Sequence, residues 1–207
     1  MSQARSLQNS SDVPRTSSAD RILTTALDLF AVKGYDATAV REICEAAGIT
    51  KPTLYYFYGS KDGVFKALVT GAFDGFRQLV DGSLTGACPL RNKLKQLARS
   101  LFADARERPK LWRFIHMAVW APPGTAPPTD CSKFYESFLK LLGDAIEQAV
   151  AEGEFLPGST RVRLLVLMGA LSEAANGFVM AGQPDLTPEL ADALIDAITA
   201  GWSQSQA

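Results

Sequence analysis

Residues 48–66 read GITKPTLYYFYGSKDGVFK and are the most informative stretch of the sequence. The four aromatic residues 55–58 stand in a row shortly after Pro52. Either a buried strand or the exposed helix of a DNA-binding protein could carry such a run. Thr50 can cap a helix that has Pro52 in its first turn, where a missing N–H costs little. Gly59 and Ser60 then end the segment after about two helical turns. The pattern therefore predicts a short helix.

The four rings cannot share one role on such a helix. Residues three and four apart lie on the same face, so Leu54, Phe57 and Tyr58 are predicted to pack inward. Tyr55 and Tyr56 then project from the other face, where a hydroxyl can reach phosphate or base. We therefore expect one face of the helix to anchor it and the other to contact DNA.

A second short helix precedes this one, with Thr38 as its predicted N-cap and Gly48 as its end. Its apolar residues follow the i, i+3, i+4, i+7 spacing of one buried face: Val40, Ile43, Cys44 and Ala47. Small residues, a glycine and Ile49 make up the turn at 46–50. This order is typical of a helix-turn-helix, whose second helix enters the DNA major groove. An αα-hairpin inside a bundle has the same spacing and stays open as an alternative.

The remaining chain also predicts helices and no strand. Ser17 or Ser18 can cap the first helix, which Gly34 ends, and Ser60 can cap a fourth. Further helices are predicted at 90–106, 110–120, 134–152, 161–181 and 188–202, with a proline-rich loop at 121–130. The predicted fold class is all-α, with an N-terminal three-helix helix-turn-helix DNA-binding domain and a C-terminal helical bundle. The predicted division is a disordered arm at 1–17 and domains at 18–64 and 65–207.

The composition is that of an ordinary soluble globular protein. The chain has 207 residues, 47% of them hydrophobic and 21% charged, with a formal net charge of −1. Its N-terminus has no apolar segment typical of a secretory signal. The most apolar run, at 162–171, is shorter than the about 20 residues that span a bilayer. We therefore expect a cytoplasmic protein without a membrane partner.

Residues 21–68, RILTTALDLFAVKGYDATAVREICEAAGITKPTLYYFYGSKDGVFKAL, resemble the TetR family of transcriptional regulators. The likeness lies in the Phe-x-x-x-Gly-Tyr end of the first helix, in Thr38 and in AGITKPTLYYFYGSK. It implies a regulator with a variable helical domain for ligand binding and dimerisation. The expected function is a repressor released from its operator by a small hydrophobic ligand. The operator, the effector, the regulated genes and an activating role stay open.

The resemblance also implies DNA contacts position by position. Thr38 and Lys61 would bind phosphates, Lys61 with its charge and the dipole of its helix. Lys51 would donate to guanine, and Pro52 or Thr53 would touch thymine methyl groups. The full set is Thr38, Thr50, Lys51, Pro52, Thr53, Tyr55, Tyr56 and Lys61.

Two residues depart from the family's pattern. Phe57 stands where the family often has a polar His or Tyr, so we do not expect it to hydrogen-bond to DNA. Gly63 is a weak helix former and is expected to loosen the hinge between the domains.

Charge distinguishes the two domains only slightly. Residues 1–66 hold eight Lys and Arg against seven Asp and Glu, and the remainder holds thirteen against fifteen. Binding is therefore expected to depend on a few placed contacts and on dimerisation, and to weaken with salt.

The helix at 161–181 is apolar on most of its circumference and must be covered. Its small residues, Gly169, Ala170, Ala174, Ala175 and Gly177, allow another helix to approach closely. With the helix at 188–202, it is predicted to form a four-helix homodimer interface, although both helices could instead close the monomer core. Such a dimer reads a palindromic double-stranded operator with half-sites about 34–36 Å apart.

Aromatic residues cluster at 111–120 and again at 134–138, and ligand pockets are mostly apolar with a few polar groups. The predicted effector-binding residues are Trp112, His116, Trp120, Phe134, Phe138, Glu173 and Asn176. The alternative for each is ordinary core or surface packing.

Other chemistry finds little support. A single His allows no Ser-His-Asp or Cys-His arrangement, and there is no metal-ligand cluster or nucleotide loop. We expect no catalytic residue, no metal and no cofactor. Cys44 is predicted to be core, and redox sensing by Cys88 or Cys131 stays open. A further alternative is a helical ligand-binding or interaction protein without sequence-specific DNA binding.

Overall fold

The computed structural model describes residues 17–120, 125–127 and 131–203. Within these ranges the chain forms nine α-helices and no strand, which confirms the all-α fold class. The helices are α1 (Ser18–Lys33), α2 (Val40–Ala47), α3 (Lys51–Tyr58), α4 (Lys61–Leu84), α5 (Leu90–Glu107), α6 (Pro109–Trp120), α7 (Cys131–Ala151), α8 (Thr160–Ala181) and α9 (Pro188–Ala200). The predicted arm up to residue 16 and most of the predicted loop at 121–130 lie outside the described residues.

Hydroxyl side chains start five of the helices. Ser17, Thr50 and Ser60 accept hydrogen bonds from backbone N–H groups in the first turns of α1, α3 and α4. Ser159 and Thr187 do the same for α8 and α9. Each cap satisfies an N–H that has no partner within its helix and contributes about 1 kcal/mol. Local sequence therefore sets where these helices begin.

The start of α2 corrects one expectation. The sequence predicts Thr38 as its N-cap, but α2 begins at Val40 with Ala39 at that position. Glu42 accepts a hydrogen bond of 3.0 Å from the backbone N–H of Ala39. Thr38 is buried, and its hydroxyl donates to the carbonyl of Gly34 at 2.8 Å. Thr38 thus stabilises the turn between α1 and α2 rather than capping α2.

The first three helices share a hydrophobic core with α4 and α6. Its buried residues are Ile22, Ala26, Phe30, Ala31, Ile43, Cys44, Leu54, Val64, Phe65, Leu68, Val69 and Phe114. The rings of Phe30, Phe65 and Phe114 meet there, with centroids 5.1 to 6.1 Å apart. Because Phe114 belongs to α6, the helix-turn-helix unit packs directly on the C-terminal part of the chain.

A second core lies among α4, α5 and α7 to α9. Its largest fully buried residues include Leu94, Leu97, Phe102, Leu142, Ile146 and Leu167. On its surface, Lys95 pairs with Asp196 at 2.7 Å, and Arg99 pairs with Asp192. These pairs connect α5 with α9, but exposed ion pairs contribute little stability, so the apolar core holds the bundle together.

Helix α4 connects the two cores. Val64, Phe65, Leu68 and Val69 belong to the first core, and Val80 belongs to the second. The helix continues without interruption across the predicted boundary between residues 64 and 65. The division into domains at 18–64 and 65–207 therefore stays a prediction.

Gly63 has a steric role that the sequence did not reveal. A Cβ atom at this position would lie 1.8 Å from the carbonyl oxygen of Tyr58. No pair of non-bonded atoms tolerates that distance, so only glycine lets the first turn of α4 approach the end of α3 this closely. Gly63 thus fixes the angle at which the third helix meets the fourth.

Candidate DNA-binding surface and ligand sites

One face of α3 is anchored and the other is free. Leu54 is fully buried, whereas Tyr55 is 48% and Tyr56 84% exposed. Lys51 and Pro52 at the start of the helix are also exposed. The structure therefore brings these four predicted DNA contacts together on the outward face of α3. Among the described residues nothing covers the Tyr56 phenol, so this face of α3 is accessible to a partner.

Thr50 and Thr53 lie at the N-terminal end of α3. Their hydroxyl oxygens are 2.9 Å apart, and the hydroxyl of Thr50 also accepts from the backbone N–H of Thr53. Thr50 therefore serves the helix as its cap; it is exposed, whereas Thr53 is half-buried.

The expectation for Phe57 is wrong. This residue was expected to pack inward with Leu54, yet it is 43% exposed. Its ring contacts those of Tyr56 and Tyr58, with centroids 5.1 and 6.3 Å away. Tyr58 does turn inward and donates a hydrogen bond of 3.1 Å to the carbonyl of Ala19. An α3 of only eight residues is too short for the core to cover all of its inner side.

Lys61 and Thr38 lie close together, and both already have internal partners. The Lys61 ammonium donates to the carbonyls of Tyr35 and Thr38 at 2.9 and 3.0 Å. An ammonium has three N–H donors, so one remains for another acceptor. The only donor of the Thr38 hydroxyl is used by Gly34. The structure thus places Lys61 as a candidate phosphate contact and Thr38 as support for it; both DNA contacts stay predictions.

Tyr35 is a residue whose role sequence reasoning missed. Its ring lies 3.9 Å below the Lys61 ammonium and 5.1 Å from the ring of Phe65. Its hydroxyl donates to the carboxylate of Asp62. Burial, followed by the hydrogen bond to Asp62, raises the pKa of the Tyr35 phenol above its usual range. The Gly-Tyr pair after α1 was the available signal, but only the fold brings Tyr35 to the start of α4.

Acidic residues neutralise part of the basic charge near α3. Lys33 pairs with Glu42 at 2.5 Å, and Arg41 pairs with Glu45 at 2.6 Å. The hydrogen bond from the backbone N–H of Ala39 holds the pKa of Glu42 below its usual range, and the hydrogen bond from Lys33 adds to this effect. The described cations near α3 are thus partly paired, which leaves Lys51 and Lys61 as the prominent positive groups beside the aromatic face.

The predicted effector-binding residues fall into three groups. Trp112, Phe134 and Phe138 surround Phe76 of α4, with ring centroids 5.0 to 6.5 Å from it. The indole N–H of Trp112 donates to Asp104 at 2.7 Å. Rings from α6 and α7 thus meet on α4 and pack against the second core.

His116 and Trp120 belong to a different place. They line a cleft of about 440 Å³ between α6 and the end of α1, together with Phe30, Tyr35, Phe65 and Phe114. Glu173 and Asn176 lie on α8, the first exposed and the second half-buried, and neither lines this cleft. The structure therefore does not gather the seven residues into one cavity, and their role in ligand binding stays a prediction.

Helix α8 presents an apolar face to its surroundings. Val162 is 57%, Leu165 72% and Val166 48% exposed. By length and composition alone, α8 is long and apolar enough to cross a membrane. Only 28% of its most apolar stretch is buried inside the chain. The small residues do not all face outward, because Ala174 and Ala175 are buried in the second core. The exposed side of α8 is therefore a contiguous apolar surface, of the kind that partners cover.

The cysteines differ in their surroundings. Cys44 is buried as predicted, and that burial raises the pKa of its thiol. Cys88 is exposed, and the side chain of Cys131 lies outside the described part of the structure.

The comparison with known sequences finds similarity to bacterial regulators. The family model of bacterial regulatory proteins, tetR family, matches residues 22–68. The probable HTH-type transcriptional regulator YttP of Bacillus subtilis is 25% identical over 107 residues, which are 51% of this chain and 52% of YttP. The negative transcriptional regulator IcaR of the biofilm operon icaADBC in Staphylococcus epidermidis is 37% identical over 57 residues, 28% of this chain and 31% of IcaR. The chain thus spans about half the length of the first relative and a third of the second.

Solved structures match nearly the whole chain. The fatty acid degradation regulator FadR from Bacillus halodurans has a TM-score of 0.75 at 22% identity, over 90% of this chain and 97% of that one. A regulatory protein in the tetR family from Rhodococcus RHA1 has a TM-score of 0.76 at 17% identity, over 92% of this chain and 100% of that one. FadR from Bacillus subtilis, solved in complex with stearoyl-CoA, has a TM-score of 0.71 at 16% identity, over 87% of this chain and 97% of that one. At these identities the likeness shows the shared fold.

Proposed function

Since the chain belongs through its N-terminal domain to the tetR family of bacterial regulatory proteins, we propose that it is a DNA-binding transcriptional regulator. We propose further that it is a repressor released from its operator by a small hydrophobic ligand. The observation that carries the proposal is the outward face of α3, where Tyr55 and Tyr56 are exposed above the buried Leu54. A short helix anchored on one side and polar-aromatic on the other is suited to entering a major groove.

The outward face of α3 divides into two kinds of contact. Lys51 can donate to the acceptor edge of guanine, and the Thr53 methyl or the Pro52 ring can contact thymine methyl groups. The hydroxyls of Tyr55 and Tyr56 can donate to phosphate oxygens, which positions the helix without reading the sequence. Base specificity is therefore assigned to the N-terminal end of α3 and orientation to its two tyrosines.

The start of α4 supplies one further phosphate contact. The free N–H of Lys61 lies beside the N-terminus of a long helix, and both favour an anion there. The buried Thr38 supports Lys61 through its carbonyl, so its contribution to DNA binding is indirect unless its hydroxyl leaves Gly34.

A second copy of the chain is the partner proposed for α8 and α9. The apolar side chains of Val162, Leu165 and Val166 on α8 would pack against the same face of the other copy. On α9, the exposed Ala193 and Ala197 allow a close approach. The resulting homodimer would present two copies of α3 to a palindromic operator with half-sites about 34–36 Å apart.

The effector acts by preferring one arrangement of the dimer. A ligand shifts the equilibrium only as far as its affinities for the two arrangements differ. Release from DNA follows if the preferred arrangement moves the two copies of α3 away from the half-site spacing. Two of the similar solved structures are described as fatty acid regulators, and a third, FadR from Bacillus subtilis, was solved with stearoyl-CoA. We propose only that the effector here is small and hydrophobic.

A genome-wide selection of binding sites with the purified protein tests the proposal. The expected result is a palindromic sequence enriched near a few promoters, the protein's own included. Gel-shift titrations on that sequence should show affinity falling with salt, with a slope of roughly −0.9 per phosphate neutralised. Enrichment of no sequence, or binding that ignores salt, would contradict a DNA-binding regulator.

The alternative is a cytoplasmic helical protein that binds a ligand or a partner without reading DNA. The apolar face of α8 would suit it equally well. It predicts a dimer in solution but no sequence enriched in the selection, so the same experiment separates the two functions.

A further inference from the structure

The cleft beside α1 and α6 is placed between the helix-turn-helix unit and the rest of the chain. We call it the α1–α6 cleft; its volume of about 440 Å³ lies within the range of small-molecule sites. The buried rings of Phe30, Phe65 and Phe114 lie beneath it as an aromatic floor, and Trp120, 73% exposed, stands at its edge. It is separate from the ring cluster around Phe76, which packs against the second core.

We propose that the α1–α6 cleft binds the effector and that this effector is a hydrophobic cation. The proposal rests on the proposed function, since it names the site and the chemical class of the ligand for the same regulator. An apolar ring system of about ten to fifteen heavy atoms that carries one positive charge fits both the size and the lining of the cleft.

The charge of the ligand follows from the side chains at the rim. Lys33 lines the cleft, but its ammonium pairs with Glu42 at 2.5 Å. Asp36 is exposed at the same rim and has no ion-pair partner among the described residues. The unmatched charge is therefore negative, and the exposed ring of Trp120 attracts a cation in addition. An anionic ligand would meet Asp36 with no unpaired lysine among the residues that line the cleft.

The cleft also touches the residue that holds the start of α4. Tyr35 lines it, while the carbonyl and ring of Tyr35 bind the Lys61 ammonium and its hydroxyl binds Asp62. A ligand that moves the Tyr35 ring would shift Lys61 and the first turn of α4, directly after α3. Tyr35 thus connects the proposed effector site with the start of α4, next to the proposed DNA-binding helix α3.

Calorimetric titration of the full chain with three matched probes tests the site. The probes are 2-naphthylmethyl-trimethylammonium, the neutral 2-naphthalenemethanol and the anionic 2-naphthoate. The cation should bind most tightly and 2-naphthoate least. No binding of the cation, or equal binding of all three probes, would overturn the proposal.

Two variants locate the binding. Asp36→Asn should weaken binding of the cation about fivefold, as expected for an exposed charge pair, and leave the neutral probe unchanged. Ala37→Trp places a large ring at an exposed position of the cleft lining and should abolish binding of the cation and of the neutral probe. Circular dichroism checks that both variants fold.

Matched controls lie in a second hollow, of about 240 Å³, that includes Gln148 and Asp144 of α7. Gln148→Trp and Asp144→Asn make the same kinds of change there and should leave binding of the cation unaltered. If either control weakens binding as much as its counterpart, the ligand does not sit in the α1–α6 cleft.

The DNA readout separates this proposal from the proposed function. On a selected operator, the cation should release the wild-type protein but not Ala37→Trp. If the protein binds no DNA while the cation still binds in the cleft, the proposed function fails and the site stands. If the protein binds its operator while no cation binds, the site fails and the regulator stands.

Discussion

At the scale of single residues, Gly63 and Tyr35 position the recognition helix. Gly63 lets α4 pass against the Tyr58 carbonyl, and Tyr35 binds both Lys61 and Asp62 in the first turn of α4. These contacts join α3 and α4 at a defined angle. A DNA-binding helix needs such support, because an error of about 1 Å in placement weakens every contact that it makes.

Replacing Gly63 with alanine tests the close approach. The added Cβ meets backbone rather than a flexible side chain, so Gly63→Ala should lower the free energy of unfolding by about 2 kcal/mol or more. Gly71, also on α4, has open space around it, and Gly71→Ala should stabilise the protein by roughly 0.5–1 kcal/mol. Denaturant titration measures both. Equal effects of the two substitutions would contradict the steric role of Gly63.

The raised pKa of Tyr35 predicts a loss of stability in alkali. The pKa of the unfolded phenol is near its ordinary value of 10.0, whereas the folded phenol resists ionisation because it is buried and bonded to Asp62. Its contribution to stability is complete below pH 10 and is lost as pH rises above it, because only the unfolded state then releases the proton. Tyr35→Phe, which keeps the ring, should show a smaller fall in Tm between pH 9 and 11; an unchanged fall would contradict the assignment.

Among the elements, α3 is short and buries little of its surface. Its eight residues contain one fully buried anchor, Leu54, and leave Tyr55, Tyr56 and Phe57 exposed, while Tyr58 is half-buried. Helix α8 is the reverse case, since 22 residues of apolar composition bury only one side against their own chain. Both helices keep an exposed face within one copy of the chain, and the two faces differ in chemistry, aromatic with hydroxyl groups on α3 and apolar on α8.

The outward face of α3 predicts two classes of DNA-binding defect. Tyr56→Ala should weaken binding about fivefold on all sequences, because it removes a phosphate contact. Lys51→Ala should instead reduce the preference for one base pair, by about 1–3 kcal/mol. Tyr135→Ala is a matched control, since Tyr135 is 50% exposed on α7, away from α3. Gel shifts on the selected site and its point variants measure these effects, and identical behaviour of Tyr56→Ala and Lys51→Ala would refute the division.

At the scale of the whole molecule, two cores share one continuous helix. The first core includes Phe114 of α6, so the helix-turn-helix unit cannot tilt without disturbing the aromatic floor of the α1–α6 cleft. The apolar face of α8 lies on the second core. The proposed ligand, DNA and dimer surfaces are thus connected through α4 and α6, which both pack against the two cores.

A charge on the exposed face of α8 should separate the dimer. Leu165→Glu buries a carboxylate in an apolar interface, and the protein should elute as a monomer that remains helical. Val32→Glu is a matched control, since Val32 is 75% exposed on α1 against 72% for Leu165. Light scattering after size-exclusion chromatography gives the mass of each. A Leu165→Glu dimer would place the interface elsewhere.

Much of the local structure could be read from the sequence. Ser17, Thr50 and Ser60 start their helices as predicted, and Gly34, Gly48 and Gly59 follow the ends of α1, α2 and α3 with positive φ. Caps and stops act within a few residues, so a single stretch of sequence contains the whole signal. Thr38 shows the limit of such predictions. Its hydroxyl is able to cap α2, but in the fold it donates to the carbonyl of Gly34 in the preceding turn.

Periodicity and caps were enough to predict that the chain is helical, that residues 38–58 form a helix-turn-helix, and that Leu54 and Tyr56 take opposite sides of α3. The exposure of Phe57, the approach of Gly63 to the Tyr58 carbonyl and the separation of His116 from Phe138 became visible in the folded chain alone. The two groups of features differ in their distance along the chain. Helix periodicity relates neighbours three or four residues apart, whereas these contacts depend on how helices far apart in sequence cross one another.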